Sequence, residues 1–391
     1  MKFDFDKVVD RHGTKCLKYD FAKERGRSDD MLPLWVADMD FQTAPGIQKS
    51  LSDAVAHGIY GYSEGKDDYF QAAAGWYEKH FGWKVEKEWL IKTPGVVFAL
   101  AMAVKAYTKE GDAVLLQQPV YYPFSEVITD NHRRLINSPL QQIDGHYEIN
   151  FEEFEQKIVE ENVKLFLMCN PHNPVGRVWK EWELRKIGDI CLKHNVLVVS
   201  DEIHSDFTYG ENIHHVFASL DEKYAAITTT CTAPSKTFNI AGLQISNIWI
   251  SNPELRARFR AEVTAAGYSQ VNLMGLVACQ AAYETGEEWL KELKIYLEGN
   301  LDYVRTFLKE NLPEIKLTEP EGTYLLWLDF KSLGMKEEQL KDLVENKAKL
   351  WLDSGAMFGP DGEGFERINI ACPREILKQA LTQLAEAVHD R

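Results

Sequence analysis

The chain has 391 residues, of which 45% are apolar and 27% charged, with a formal charge of −16. That length predicts two domains, or one large α/β unit with a satellite, and the apolar content excludes a largely disordered chain. The acidic balance argues against a nucleic-acid or anionic-membrane binder, which would present a basic face.

The first residues, MKFDFDKVVDRHGTK, hold Asp4 and Asp6 and no apolar run, which does not fit a secretory signal. The first ~45 residues are irregular and contain proline, and are expected to fold back onto the C-terminal part. Residues Val97 to Tyr107 predict a helix after the Thr93-Pro94-Gly95 turn, and Gly111-Asp112 breaks it. The longest apolar run, Val96 to Val104, is far short of the ~20 residues a membrane-spanning helix needs. Short apolar runs follow at Ala113 to Gln117, Lys164 to Cys169, Val196 to Ser200, Ala226 to Thr232 and Gln244 to Ile250. Between them, Glu181 to His194 is helical, with Leu184, Ile187, Ile190 and Cys191 on one face. Strands alternating with helices predict an α/β fold with a mostly parallel sheet covered on both faces.

After about residue 285 the pattern changes. Glu287 to Lys309 predicts a long helix, Thr323 to Phe330 a strand, Lys336 to Asn346 a helix and Arg367 to Ala371 a strand. This suggests a smaller α+β domain over 286–391, with 49–285 as the large domain and 1–48 joining the small one. The six cysteines are scattered without a C-x-x-C pair, and a chain this long needs no disulfide staples. They read as reduced thiols in a cytoplasmic protein.

Three polar clusters each follow a strand-like run: Asn170-Pro171-His172-Asn173-Pro174, Asp201-Glu202-Ile203-His204 and Pro234-Ser235-Lys236-Thr237. In parallel sheets, ligands sit at the carboxyl ends of strands, so the three point to one shared site. Other chemistries lack their parts. There is no P-loop glycine frame before Lys236, no G-x-G-x-x-G, no H-E-x-x-H and no G-x-S-x-G. His214-His215 reads as a solvated loop, and no metal site is expected. What remains is a lysine, an aspartate and an asparagine at three strand ends. These are the parts that hold pyridoxal phosphate: an amine for a Schiff base, a carboxylate for the ring nitrogen and a donor for the phenolate oxygen.

Taken together, several segments resemble the fold type I pyridoxal-phosphate enzymes, the aspartate aminotransferase superfamily. They are Trp35-Val36-Ala37-Asp38-Met39-Asp40-Phe41, Tyr60-Gly61-Tyr62, Thr93-Pro94-Gly95-Val96-Val97, Asn170 to Gly176, Ser200 to His204, Pro234 to Asn239 and Arg367-Ile368-Asn369. Within it the chain is similar to the MalY/PatB-like cystathionine β-lyase (C–S lyase) branch, chiefly through the 35–41 segment and Ser235-Lys236-Thr237-Phe238-Asn239-Ile240. The resemblance implies a large domain with a seven-stranded sheet, a smaller α+β domain and pyridoxal 5'-phosphate as cofactor.

The resemblance also implies roles. Lys236 would carry the cofactor and shuttle the proton, Asp201 would pair with the ring nitrogen, and Tyr121 would stack on the ring. Asn170 and Asn173 would lie against the cofactor, with Asn173 on the phenolate oxygen, and His204 would stand where many relatives place Tyr. The phosphate would bind the backbone of Gly95, Val96 and Val97 and the Ser235 hydroxyl. Tyr62 would reach it from the second subunit of a homodimer with shared sites. Arg367 would clamp the substrate carboxylate, helped by Asn173 and Tyr62. Two positions depart from the aminotransferase pattern: Gln244 where Arg is usual, and Ala233 where Ser is common. The phosphate would then lean on the helix amides, Ser235, Tyr62 and Thr232.

The implied reaction is β-elimination from cystathionine or a cysteine S-conjugate, giving pyruvate, ammonia and a thiol. An aminotransferase of neutral or aromatic amino acids is the alternative, and a cofactor-binding regulatory protein is a third possibility. Trp35, Tyr60 and Tyr324 are candidates to line the pocket or to pack in the core.

Overall fold

The computed structural model describes residues 2–391. Seven strands build the main sheet: β1 (Leu90–Thr93), β2 (Ala113–Leu116), β3 (Arg134–Asn137), β4 (Leu165–Cys169), β5 (Leu197–Asp201), β6 (Thr228–Thr232) and β7 (Ser246–Trp249). Their order across the sheet is β1-β7-β6-β5-β4-β2-β3. Only β7 runs antiparallel to its neighbours, so the sheet is mixed and mostly parallel.

Side chains on a strand alternate between faces, and here both faces are buried. Val114, Leu116, Leu165, Leu167 and Val199 pack under the helix Val96–Tyr107 with Ala99, Ala103 and Phe259. The intervening Leu115, Phe166, Met168 and Val198 pack on the opposite side with Leu184, Ile187, Ile190 and Cys191. Those last four are the predicted apolar stripe of the helix Glu181–Lys193, and each is buried.

A second sheet has the order β8-β9-β11-β10, formed by β8 (Lys316–Thr318), β9 (Leu325–Asp329), β10 (Asp353–Ser354) and β11 (Phe365–Asn369). It packs with the helices Glu287–Asn311 and Arg374–His389 into a third apolar cluster. The expected helix from Lys336 changes pitch: an α-turn over Glu337–Lys341 runs into a π-helix over Asp342–Lys347. The N-terminal segment returns to this side of the molecule, where Leu32 and Pro33 pair in parallel with Leu350 and Trp351.

Among the described residues no helix is long and apolar enough to cross a membrane. No group of three or more His, Cys, Asp or Glu residues is placed to hold a metal. All six cysteines are free, five of them buried.

One buried ion cluster ties distant segments together. The Arg177 guanidinium donates to Glu321 at 2.8 Å and to Glu183 at 3.0 Å, and also to the Tyr147 carbonyl. Removing the cation strands the buried Glu183 carboxylate, while Glu321 keeps Lys180 at 3.3 Å. Arg177→Met is expected to lower unfolding stability by about 3–5 kcal/mol in a urea titration.

Candidate active site

The three polar clusters leave the sheet side by side, because β4, β5 and β6 are neighbours and parallel. Backbone bonds lock them together: Asn170 N–H donates to the Asp201 carbonyl at 2.9 Å and Glu202 N–H to the Cys231 carbonyl at 2.8 Å. The loop after β2 joins from the other side, with Tyr121 N–H donating to the Asn173 carbonyl at 3.0 Å. Six sequence-selected residues therefore converge here: Tyr121, Asn170, Asn173, Asp201, His204 and Lys236.

The amine of Lys236 donates to the Ala37 carbonyl at 2.8 Å. The Tyr324 hydroxyl donates to the same oxygen at 3.1 Å. Solvent reaches part of the Lys236 side chain through a cavity of about 540 Å³ shared with Arg11, Cys16, Asp38 and Asn239. The amine itself lies deep among protein atoms. Burial pushes its pKa down to about 8, with Asp38 and Asp201 opposing that shift.

Asp201 is buried, and burial pushes its carboxyl up to about 7. Its Oδ1 accepts the Ile203 N–H at 3.1 Å, while Oδ2 has no donor among the described residues. His204 is held neutral: burial first, then Lys236 and Arg367, lower its pKa to about 3, and its Nδ1 is unpartnered. Tyr121 is a buried phenol whose pKa burial raises.

Arg367 is almost fully buried, not part of a surface ion pair. It donates to Asn173 Oδ1 at 3.1 Å, to the Trp35 carbonyl at 2.8 Å and to Asp353, and its Nε is orphaned. Of its five N–H groups, Nε and one on Nη1 remain for a ligand. Asp353 stays close to Arg367 although burial raises its pKa.

The helix Val96–Tyr107 begins at Gly95 with no side-chain cap, so its first N–H groups are open to an anion. A Cβ at Gly95 would meet nothing within 4 Å, which leaves room above those amides. The Ser235 hydroxyl makes no hydrogen bond to a described residue. Thr232 is a correction: its hydroxyl donates to the Asn247 carbonyl at 2.8 Å and accepts Trp249 Nε1 at 3.0 Å, so it belongs to the sheet. Gln244 closes a 3₁₀ turn with φ of 52°. Tyr62 is 94% exposed and lies in this chain's surface, away from the cluster. Tyr60 is exposed as well, and Trp35 stacks on Trp351 with ring centroids 4.6 Å apart.

Sequence reasoning missed a supporting layer. His214 is a second correction: it is buried and pairs with Glu202 at 2.9 Å, and Glu202 also accepts the Ser200 hydroxyl at 2.7 Å. Asn239 and Asn369 were legible only as parts of longer segments. Asn369 donates to the Val36 and Asp38 carbonyls, and Asn239 donates to those of Met39 and Phe41.

The chain matches the model of the aminotransferase class I and II family over residues 30–384, and it belongs to that family. Its fold is that of the fold type I pyridoxal-phosphate transferases. It is 43% identical to cystathionine β-lyase PatB of Bacillus subtilis over 98% of this chain and 100% of the relative. It is 34% identical to protein MalY of Escherichia coli, covering 99% of both chains. Among solved structures, cystalysin from Treponema denticola, which contains a pyridoxal 5'-phosphate cofactor, is 39% identical with a TM-score of 0.96, over 100% of both chains.

The raised Asp201 pKa fixes a sign for stability. Without cofactor the folded chain keeps that proton up to about pH 7, whereas the unfolded chain loses it near 3.8. Asp201 therefore contributes stability below about pH 4 that is lost as pH rises through about 7, on the order of 4 kcal/mol in all. Asp201→Asn is expected to flatten this decline in cofactor-free protein, measured by urea unfolding across that range.

Proposed function

We propose that the chain is a pyridoxal-phosphate-dependent carbon–sulfur β-lyase. It acts on L-cystathionine or related cysteine S-conjugates and releases pyruvate, ammonia and a thiol. The observation that carries this reading is the buried Asp201 carboxylate, one oxygen free, placed with Lys236 at neighbouring strand ends.

The residues fit the cofactor. A buried carboxylate with no cation in contact lacks a partner, and a protonated ring nitrogen is one. The orphaned Asn170 Oδ1, His204 Nδ1 and Arg367 Nε are further polar atoms awaiting partners around it. The open amides of Val96 and Val97, with the Ser235 hydroxyl, would hold the phosphate. Asn173 Nδ2 would meet the phenolate oxygen and Tyr121 would cover the ring face. When bound, pyridoxal phosphate supplies an electron sink for the charge left on the substrate Cα.

The chain's own groups do the rest. Lys236 would hold the cofactor and, once freed, take the Cα proton; in the cofactor-free chain burial already lowers the pKa of its amine to about 8. Asp201 keeps the proton on the ring nitrogen. Arg367 and Asn173 orient the substrate carboxylate. With a thioether at Cβ, loss of the Cα proton would be followed by breaking of the C–S bond, the thiolate leaving with the electron pair. Water then converts the three-carbon remainder to pyruvate and ammonia.

The same reading makes the protein a cytoplasmic homodimer with shared sites. Ile59, Tyr60 and Tyr62 are exposed large hydrophobics on one short segment, as residues given to a partner subunit would be. It also divides the chain into a large cofactor domain over 49–285 and a small domain over 286–391 joined by 1–48.

Purified protein is expected to show a visible absorption band and to release pyruvate from L-cystathionine without a keto-acid co-substrate. Transamination dependent on a keto acid, with no pyruvate released, would overturn the lyase reading. Lys236→Ala should lose more than about a thousandfold in kcat, as expected for losing both attachment and proton transfer. Subunits carrying Lys236→Ala and Tyr62→Ala should complement on mixing, since one of the two hybrid sites then holds both residues. Activity no higher than either variant alone would reject a shared site.

A further inference from the structure

We propose that the fold carries a second small-molecule site, separate from the cofactor site, that binds a zwitterionic α-amino acid with an apolar side chain. It is a cavity of about 520 Å³ between the end of the helix Asp67–Phe81, the loop 205–214 and the first turns of the helix Glu287–Asn311. That volume holds a free amino acid with room for water.

The lining matches such a ligand group by group. Lys291 and Lys294 stand one helical turn apart on the same wall, and neither forms a hydrogen bond or ion pair with a described residue. Two unpaired ammonium groups call for a carboxylate. Burial lowers the pKa of Lys294, with Asp206 and Glu298 opposing from a distance, and neither is within ion-pair reach of its Nζ. Across the cavity lies Asp206, whose oxygens accept Trp76 Nε1 at 3.1 Å and Thr237 Oγ1 at 2.6 Å. Both donors are neutral, so its charge has no cation in contact and suits an ammonium. Glu287, the other acid on this wall, is already paired with Lys79. Phe81, Ile213, Leu290 and Ile295 supply the apolar surface for the side chain. The buried His214, which also lines the cavity, leaves its Nδ1 without a partner.

The cavity wall touches the supports of the catalytic pair. Asp206 holds Thr237, the residue after Lys236, and His214 holds Glu202, the residue after Asp201. A ligand that shifts either contact therefore reaches the cofactor site through one peptide unit.

The test uses the holoenzyme, with L-leucine as probe, and follows thermal stability, calorimetry and the visible band together. The expected result is saturable binding that raises Tm and leaves the visible band unchanged. Lys294→Met should weaken that binding roughly tenfold or more, the effect of one charge-assisted hydrogen bond, while pyruvate release without leucine stays as in the parent. Binding should persist in Arg367→Met. 4-Methyl-2-oxopentanoate, which is leucine without its ammonium, should bind more weakly. Absence of saturable binding overturns the proposal, as do unchanged affinity in Lys294→Met, loss in Arg367→Met or equal affinity for the keto acid. None of the binding readouts requires the lyase reaction, so their failure is distinct from a failure of the proposed function.

Discussion

The arrangement of the site depends on a bent strap of backbone, residues 35–41, that crosses beside Lys236 without joining either sheet. Buried carbonyls in such a segment must find donors or destabilise the fold. Here side chains supply them one after another. Arg367 serves Trp35, Asn369 serves Val36 and Asp38, Lys236 and Tyr324 serve Ala37, and Asn239 serves Met39 and Phe41. Asp38 and Asp40 are fixed from outside by Arg11, and Asp40 also by Lys18 at 2.7 Å. The strap thus links the lysine after β6 to the arginine and asparagine on β11. It adds to direct contacts between the two sheets, where Trp327 and Phe365 pack with Leu115 and Phe166 and Arg367 reaches Asn173.

That arrangement costs stability in the cofactor-free chain. Asp201 is buried without a cation, Lys236 is buried with only a carbonyl, and Arg367 leaves donors unused. A fold selected for stability alone would pair these groups with one another. They are instead held apart by β5, β6 and β11, each aimed at a place a ligand occupies. Electrostatic misfit of this kind is the physical mark of a binding site, and the ligand it suits carries a cation, an anion and an aldehyde.

Much of this was legible in the sequence where local rules and tertiary structure agree. The strand-end clusters could be read because β4, β5 and β6 are short, apolar and parallel, so their ends must fall on one edge. The stripe Leu184, Ile187, Ile190, Cys191 could be read because a surface helix with one buried face shows its period. The helix Leu273–Thr285 gave no such signal, being apolar on nearly every side and buried accordingly. His214 was misread because polar neighbours suggest a loop, while its burial depends on Glu202, twelve residues away and itself buried. Thr232 was misread because a hydroxyl near the lysine looks available, although Trp249 on the adjacent strand already uses it. Sequence periodicity reports which face is apolar. It does not report which polar group on that face has found a partner.

The position of Gln244 bears on how reaction type is set. An arginine there would place a fixed charge beside the phosphate, and this chain lacks it. The donors the proposed function assigns are the neutral amides of Val96 and Val97 and the Ser235 hydroxyl, so phosphate binding would draw on a helix dipole rather than a salt bridge. A neutral cradle holds its ligand by geometry and loses less to salt screening than an exposed ion pair would. Asp201 ends a strand of the sheet, whereas Lys236 lies in the short helix Pro234–Thr237 next to Ser235. Under the proposed function, a leaving group at the substrate Cβ would favour elimination, and Arg367 and Asn173, in contact at 3.1 Å, would orient that substrate together.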